Sequence, residues 1–194
     1  MSRGRLEAFS DGVIAVLITI LVLDLQAPRG HTFKSLQEVV PHFLVYALSF
    51  TYLAIYWNNH HHLIKACRRV TGGIMWANLH LLFWLSLFPL TTEWMGENHY
   101  ARVPVCTYGI VSLLAAIAYY ILQTTIVRLE GADSELATAL GRDVKGKVSP
   151  ALYAVAIPLA FVNRWIAVAL YVVVALMWLI PDRRLERQFT TSAS

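Results

Sequence analysis

The sequence predicts an all-α integral membrane protein: six transmembrane helices in a single domain, residues 1–194. Three observations carry the prediction. Hydrophobic residues make up 57% of the chain and charged residues only 14%, against roughly 45–50% and about 25% in ordinary soluble domains. Apolar runs recur along the chain, most near the roughly 20 residues that a helical span needs. Loops rich and poor in Lys and Arg alternate in step with those runs, as they do when basic residues gather on the cytoplasmic side. The net charge of +4 is thus a topology signal and calls for a lipid bilayer, not for nucleic acid.

The spans follow in order. Span 1 is Ala8–Leu25, span 2 His42–Ile64, span 3 Gly73–Trp94 and span 4 Val103–Val127. Span 5, Val148–Val162, and span 6, Trp165–Ile180, are shorter, divided by Asn163-Arg164 and closed by Pro181. One long bent segment competes with a tight turn there, and the turn is preferred. Pro89 and Pro158 read as tolerated kinks within membrane helices. Trp94, Tyr100, Trp165 and Trp178 suit interfacial belts. The first run lacks a small-residue cleavage site and is followed by further runs, so it reads as a span and not as a signal peptide.

Orientation comes from the cations. Arg3 and Arg5, then Lys65, Arg68 and Arg69, then Arg128, Arg142, Lys145 and Lys147, then Arg183, Arg184 and Arg187 occupy the N-terminus, the even-numbered loops and the tail. The other loops hold Arg29, Lys34, Arg102 and Arg164. The expected protein is multi-pass in the cell membrane with both termini cytoplasmic. Cys67 and Cys106 then fall on opposite sides, so no disulfide is expected. Residues Arg128–Lys147 read as a solvated connector, and the tail beyond Pro181 as disordered.

Span 1 is unusual. Its strictly apolar part, Val13–Leu23, makes only about 16 Å of helix at 1.5 Å per residue, against a hydrocarbon core of about 30 Å. Phe9-Ser10-Asp11-Gly12 is therefore drawn toward the membrane. An acid at that depth must face protein or water. Topology supplies partners at the same level: Trp57-Asn58-Asn59-His60-His61-His62 at the inner end of span 2, and Asn78 and His80 one to two turns into span 3. Arg5 is a possible ionic partner. The plainer reading of such a layer is a helix-end anchor.

Val16, Thr19, Ile20 and Leu23 share one stripe at i, i+3, i+4 and i+7, and Gly12 continues it inward. Such a stripe usually packs against another helix, and Gly12 usually permits close packing. The sharper reading makes it a set of apolar rings around an axis, able to gate by dewetting. Asp24 follows at the helix C-terminus, where the dipole disfavours an acid. A cation-attracting rim explains it, as does a salt bridge to Arg29 or Lys34.

These residues carry a family resemblance. Arg5-x-x-x-Phe9-Ser10-Asp11-Gly12, the Trp-Asn-Asn-His-His segment Trp57–His61 and the stretch Asn78–Pro89 resemble the prokaryotic transmembrane protein 175 family, potassium channels related to the lysosomal potassium channel. The resemblance implies a homotetramer in which span 1 of each subunit lines a central pore, with potassium as the permeant ion. It implies a constriction at Val16, a threonine layer at Thr19, and further apolar rings at Ile20 and Leu23. It implies an anchor of Arg5, Ser10, Asp11, Trp57, Asn78 and one histidine of His60–His62, for which His61 is preferred. No TVGYG-type carbonyl filter is present, and Val70-Thr71-Gly72-Gly73 does not supply one.

The expected function is a potassium-favouring cation channel without cofactors. A proton-coupled carrier built on Asp11 and the span 2 histidines is the alternative, but broken helices and paired halves of the carrier type are missing. A metal or haem enzyme on His60-His61-His62 with His80 is disfavoured. Three consecutive histidines project about 100° apart, and the i, i+4 pairing that suits a metal on one helix does not occur there. No Ser-His-Asp order, phosphate loop or nucleotide motif suggests an enzyme.

Overall fold

A computed structural model of the chain describes residues 1–131 and 144–179. Among these the secondary structure is entirely helical: α1 Arg3–Leu23, α2 Phe33–Lys65, α3 Gly72–Leu85, α4 Phe88–Glu97, α5 Arg102–Glu130, α6 Val144–Val162 and α7 Arg164–Leu179. α3 and α4 together form one membrane-length column, so seven helices make six spans. Arg3–Leu23, Phe33–Lys65, Gly72–Glu97 and Arg102–Glu130 are each long and apolar enough to cross a membrane, and Arg164–Leu179 is a shorter apolar helix.

The helix ends run past the apolar cores. α1 begins at Arg3 because Ser2 caps it, its hydroxyl accepting from Arg5 N. α2 begins nine residues before His42 in sequence, capped by Thr32, and carries Pro41 inside it. α3 is capped by Thr71, whose hydroxyl accepts from Ile74 N. These N-caps satisfy donors that have no partner inside the helix. They lie in polar flanks that a hydropathy reading passes over.

The kink expected at Pro89 is a full interruption at Ser86-Leu87. Proline lacks the N–H that would continue the ladder, and its ring crowds the carbonyl four residues back. Thr91 and Thr92 hydroxyls donate to the Leu87 and Phe88 carbonyls as the new helix begins. Span 5–span 6 is a tight turn, as preferred: Asn163 Oδ1 accepts from Trp165 N at 3.0 Å. Trp178 Nε1 donates to Ser149 Oγ at 2.8 Å, so the end of α7 lies beside the start of α6 and the two run antiparallel. Helix covers both ends of the polar segment Arg128–Lys147. Its middle, like the tail beyond Leu179, lies outside the described residues.

The core joins α2, α4, α5, α6 and α7 through aromatic side chains. Tyr52, Phe88, Tyr108, Tyr153 and Tyr171 form a continuous set of ring contacts with centroids 5.6–6.4 Å apart. Their hydroxyls find acceptors across helices: Tyr52 donates to Tyr171 O at 2.6 Å and Tyr171 to Val105 O at 3.0 Å. Ser49 donates to Thr92 Oγ1, whose own hydrogen is taken by Phe88 O, and accepts from the Tyr108 hydroxyl. In lipid, where apolar contact alone does not drive helices together, such cross-helix bonds and close packing hold the bundle. Cys67 and Cys106 are free and buried, and burial pushes the Cys67 thiol up from its ordinary value, which keeps it protonated and unreactive.

The turn between α4 and α5 is strained, with positive φ at His99 (47°) and Tyr100 (57°). Left-handed backbone at a non-glycine residue costs about 1–2 kcal/mol. Tyr100 is over-determined by its surroundings: its hydroxyl donates to Pro41 O at 2.7 Å and its ring lies 5.3 Å from Trp165.

Gly109 is where the tyrosine core approaches α5 most closely. A Cβ there would lie 2.9 Å from Tyr171 Cζ, 3.1 Å from Ile157 and in collision with the Tyr171 hydroxyl. Gly109→Ala is expected to lower stability by about 1–3 kcal/mol, read as a depressed midpoint of thermal unfolding in detergent. Gly4→Ala, with open space around it, is expected to leave the midpoint unchanged or slightly raised.

Candidate functional site

Ser10, on α1, is fully buried, and its hydroxyl donates to Leu6 O at 2.8 Å. Its oxygen in turn accepts from Asn78 Nδ2 of α3 at 2.9 Å. That fixes the Asn78 amide, whose Oδ1 faces His60 Nε2 of α2 at 2.6 Å. A carbonyl oxygen only accepts, so Nε2 carries the proton. Three helices are thus joined by one chain of hydrogen bonds in which every member is buried. His60 Nδ1 is left without a partner, the one such buried side-chain nitrogen or oxygen among the described residues.

The histidine bonded to Asn78 is therefore His60, where His61 was preferred. The reason is rotation. The buried side of α2 runs Ser49, Tyr52, Leu53, His60, Leu63, Ile64, a 3–4 spacing in which His60 falls and His61 lies about 100° off. That periodicity was present in the sequence. His61 instead pairs with Glu7, Nδ1 to Oε1 at 3.0 Å. Asp11 accepts from Trp57 Nε1 at 3.1 Å. Arg5 is exposed and forms no ion pair among the described residues. The basic residue that ties α1 to the end of α2 is Arg3, donating to Lys65 O at 3.1 Å. Neither Arg29 nor Lys34 pairs with Asp24 among the described residues. Its charged neighbours are the acids Glu93 and Glu97 of α4.

The faces of α1 divide sharply. Leu6, Ser10, Ile14, Leu17 and Leu21 are its buried residues, packed toward α2, α3 and α4. Val16 is 55% exposed and Leu23 78%, and Gly12, Thr19 and Ile20 are exposed with them. At 100° per residue the two stripes lie roughly 110–120° apart. Glu7 and Asp11 lie roughly 140–180° from Val16, so they sit behind the exposed stripe. A Cβ on Gly12 would meet nothing within 4 Å. Among the described residues this stripe and Gly12 stay uncovered. Thr19 Oγ1 donates to Val16 O at 2.8 Å, which commits its hydrogen to the helix and leaves its lone pairs outward.

Residues 5–89, which contain all but the first two residues of α1, the whole of α2 and Asn78, match the family model described as the endosomal/lysosomal potassium channel TMEM175. A potassium channel of Chryseobacterium sp. strain P1-3 is 52% identical over 187 residues, covering 96% of this chain and 97% of that one. A potassium channel of Chamaesiphon minutus is 31% identical over 187 residues, covering 89% and 91%. The crystal structure of a lysosomal potassium-selective channel TMEM175 homolog from the same organism superposes with a TM-score of 0.76 at 28% identity, covering 92% of this chain and 96% of that one. With half its residues shared across nearly full length, and with the same helical architecture, this chain belongs to the transmembrane protein 175 family.

Proposed function

We propose that the protein is a potassium-favouring cation channel, a homotetramer in which α1 of each subunit faces a central axis. One observation carries the reading: the stripe Gly12, Val16, Thr19, Ile20 and Leu23 is left uncovered on a helix whose other face, Leu6, Ser10, Ile14, Leu17 and Leu21, is buried toward α2, α3 and α4. A ring of such helices encloses a path by rotational symmetry. The names of the bacterial relatives point to potassium as the ion.

Val16, Ile20 and Leu23 then form apolar rings, and the constriction works through hydration rather than ligation. A neck of methyl groups offers a cation nothing in exchange for its water. Potassium holds its water less tightly than sodium, so reshaping its shell is easier. Thr19 adds the one layer of oxygen. Because its hydrogen is taken by Val16 O, it presents lone pairs to the axis, as a cation requires. Asp24, beside Glu93 and Glu97, supplies negative charge at the outer mouth, where rings of acids favour cations. Asp11 and the histidines hold the helix and stand apart from the path. The test is the reversal potential of reconstituted protein in potassium against sodium. A potential at the sodium value, or current strictly coupled to proton movement, would sink the reading in favour of a carrier.

Thr19→Val is expected to lower the potassium-to-sodium permeability ratio, and Thr19→Ser to retain it, in the same bilayer measurement. An unchanged ratio in Thr19→Val removes the hydroxyl from the mechanism. Asn78→Ala strips partners from both Ser10 and His60. It is expected to cost about 1–3 kcal/mol and to loosen α1, seen as a lowered unfolding midpoint together with a smaller share of assembled oligomer in size-exclusion chromatography.

A further inference from the structure

We propose that Glu7, Asp11 and His61 form a binding site for a divalent transition-metal ion, Zn²⁺ being the best-fitting case, that clamps the inner turns of α1 to α2. The ligand atoms of the three side chains all lie within 4.8 Å of one another. His61 Nδ1 and Glu7 Oε1 are already 3.0 Å apart, close to the roughly 3.3 Å edge of a tetrahedron with metal–ligand distances of about 2.05 Å. The remaining contraction is within the reach of side-chain torsions.

The chemistry of the set selects the ion class. One imidazole nitrogen with two carboxylates suits Zn²⁺ and its first-row neighbours, whereas magnesium and calcium prefer oxygen alone. Charge fits as well. Two carboxylates one helical turn apart repel each other, and a divalent ion offsets both. Asp11 is held for the task. Trp57 Nε1 donates to Oδ1, the outer hydrogen bond that orients a ligating carboxylate, while Oδ2 can face the ion. The Glu7 and His61 side chains are 23% and 39% exposed, which leaves a route in from water and a fourth position for it.

Spacing along one helix did not disclose this site, because its ligands come from two helices. Its position behind the Val16 stripe makes metal binding measurable whether or not the chain conducts.

The full chain, purified in detergent and stripped with chelator, is titrated with Zn²⁺ alone by calorimetry, and with Co²⁺ for its ligand-field spectrum. One saturable site per chain is expected, with a tetrahedral Co²⁺ spectrum and a thermal midpoint that rises with metal. Glu7→Gln and His61→Gln are each expected to weaken affinity roughly tenfold or more with the metal-free midpoint retained. His99→Gln, on the turn at the other end of the bundle, is expected to leave affinity unchanged. If His61→Gln does not fold, Glu7→Gln decides alone. Absence of saturable binding, or wild-type affinity in Glu7→Gln, overturns the proposal.

Discussion

The arrangement of this molecule depends on the rotation of one helix, and the chain Ser10–Asn78–His60 sets that rotation. An apolar helix in lipid has little reason to prefer one face over another, since the acyl chains are as apolar as its own side chains. Breaking the chain leaves buried polar atoms without partners, at a cost of about 1–3 kcal/mol. With Ser10 fixed toward Asn78, Ile14, Leu17 and Leu21 must follow on the same flank, and Gly12, Val16, Thr19, Ile20 and Leu23 must face out. The exposed stripe is thus a consequence of one serine's position and the 3.6-residue repeat.

The cap and anchor residues at the inner end divide the work. Ser10, fully buried, specifies direction. Asp11 and Glu7 are half-buried and bond to groups near the surface, Trp57 and His61. Arg3 reaches Lys65 O across the same end. Several independent contacts at one end of α1, and few at the other, make it a helix clamped at its cytoplasmic turn on the proposed topology. Its outer end, from Val22 to Asp24, is held mainly by Leu21.

What could be read from the sequence tracks what hydrophobicity encodes. The six spans, the depth match between Ser10, Asn78 and the histidines, and the tight turn at Asn163 were all legible, because length, layer and a polar break are one-dimensional signals. The ends of α1 and α2 were not, because Ser2 and Thr32 cap them from polar flanks. The interruption at Ser86-Leu87 was underestimated because one proline permits anything from a bend to a break, and the neighbouring threonines decide between them. The choice among His60, His61 and His62 falls on His60, the position that the buried repeat of α2 favours. The pairs Glu7–His61 and Asp11–Trp57 required knowing which faces of α1 and α2 meet, which composition and spacing on either helix alone do not contain.

The contrast between Gly12 and Gly109 sharpens the case for an axis. Both are glycines within long apolar helices, where glycine is about 1 kcal/mol poorer than alanine. Gly109 has a reason inside the subunit: Tyr171 occupies the place of its side chain. Gly12 has open space around it and sits on the same stripe as Val16 and Thr19. A lipid-facing position would be served as well by alanine, with a better helix. On the proposed tetramer the missing methyl group has a use beyond the subunit: a narrow aqueous entrance formed by copies of α1 would gain width there, one turn before Val16 on each helix.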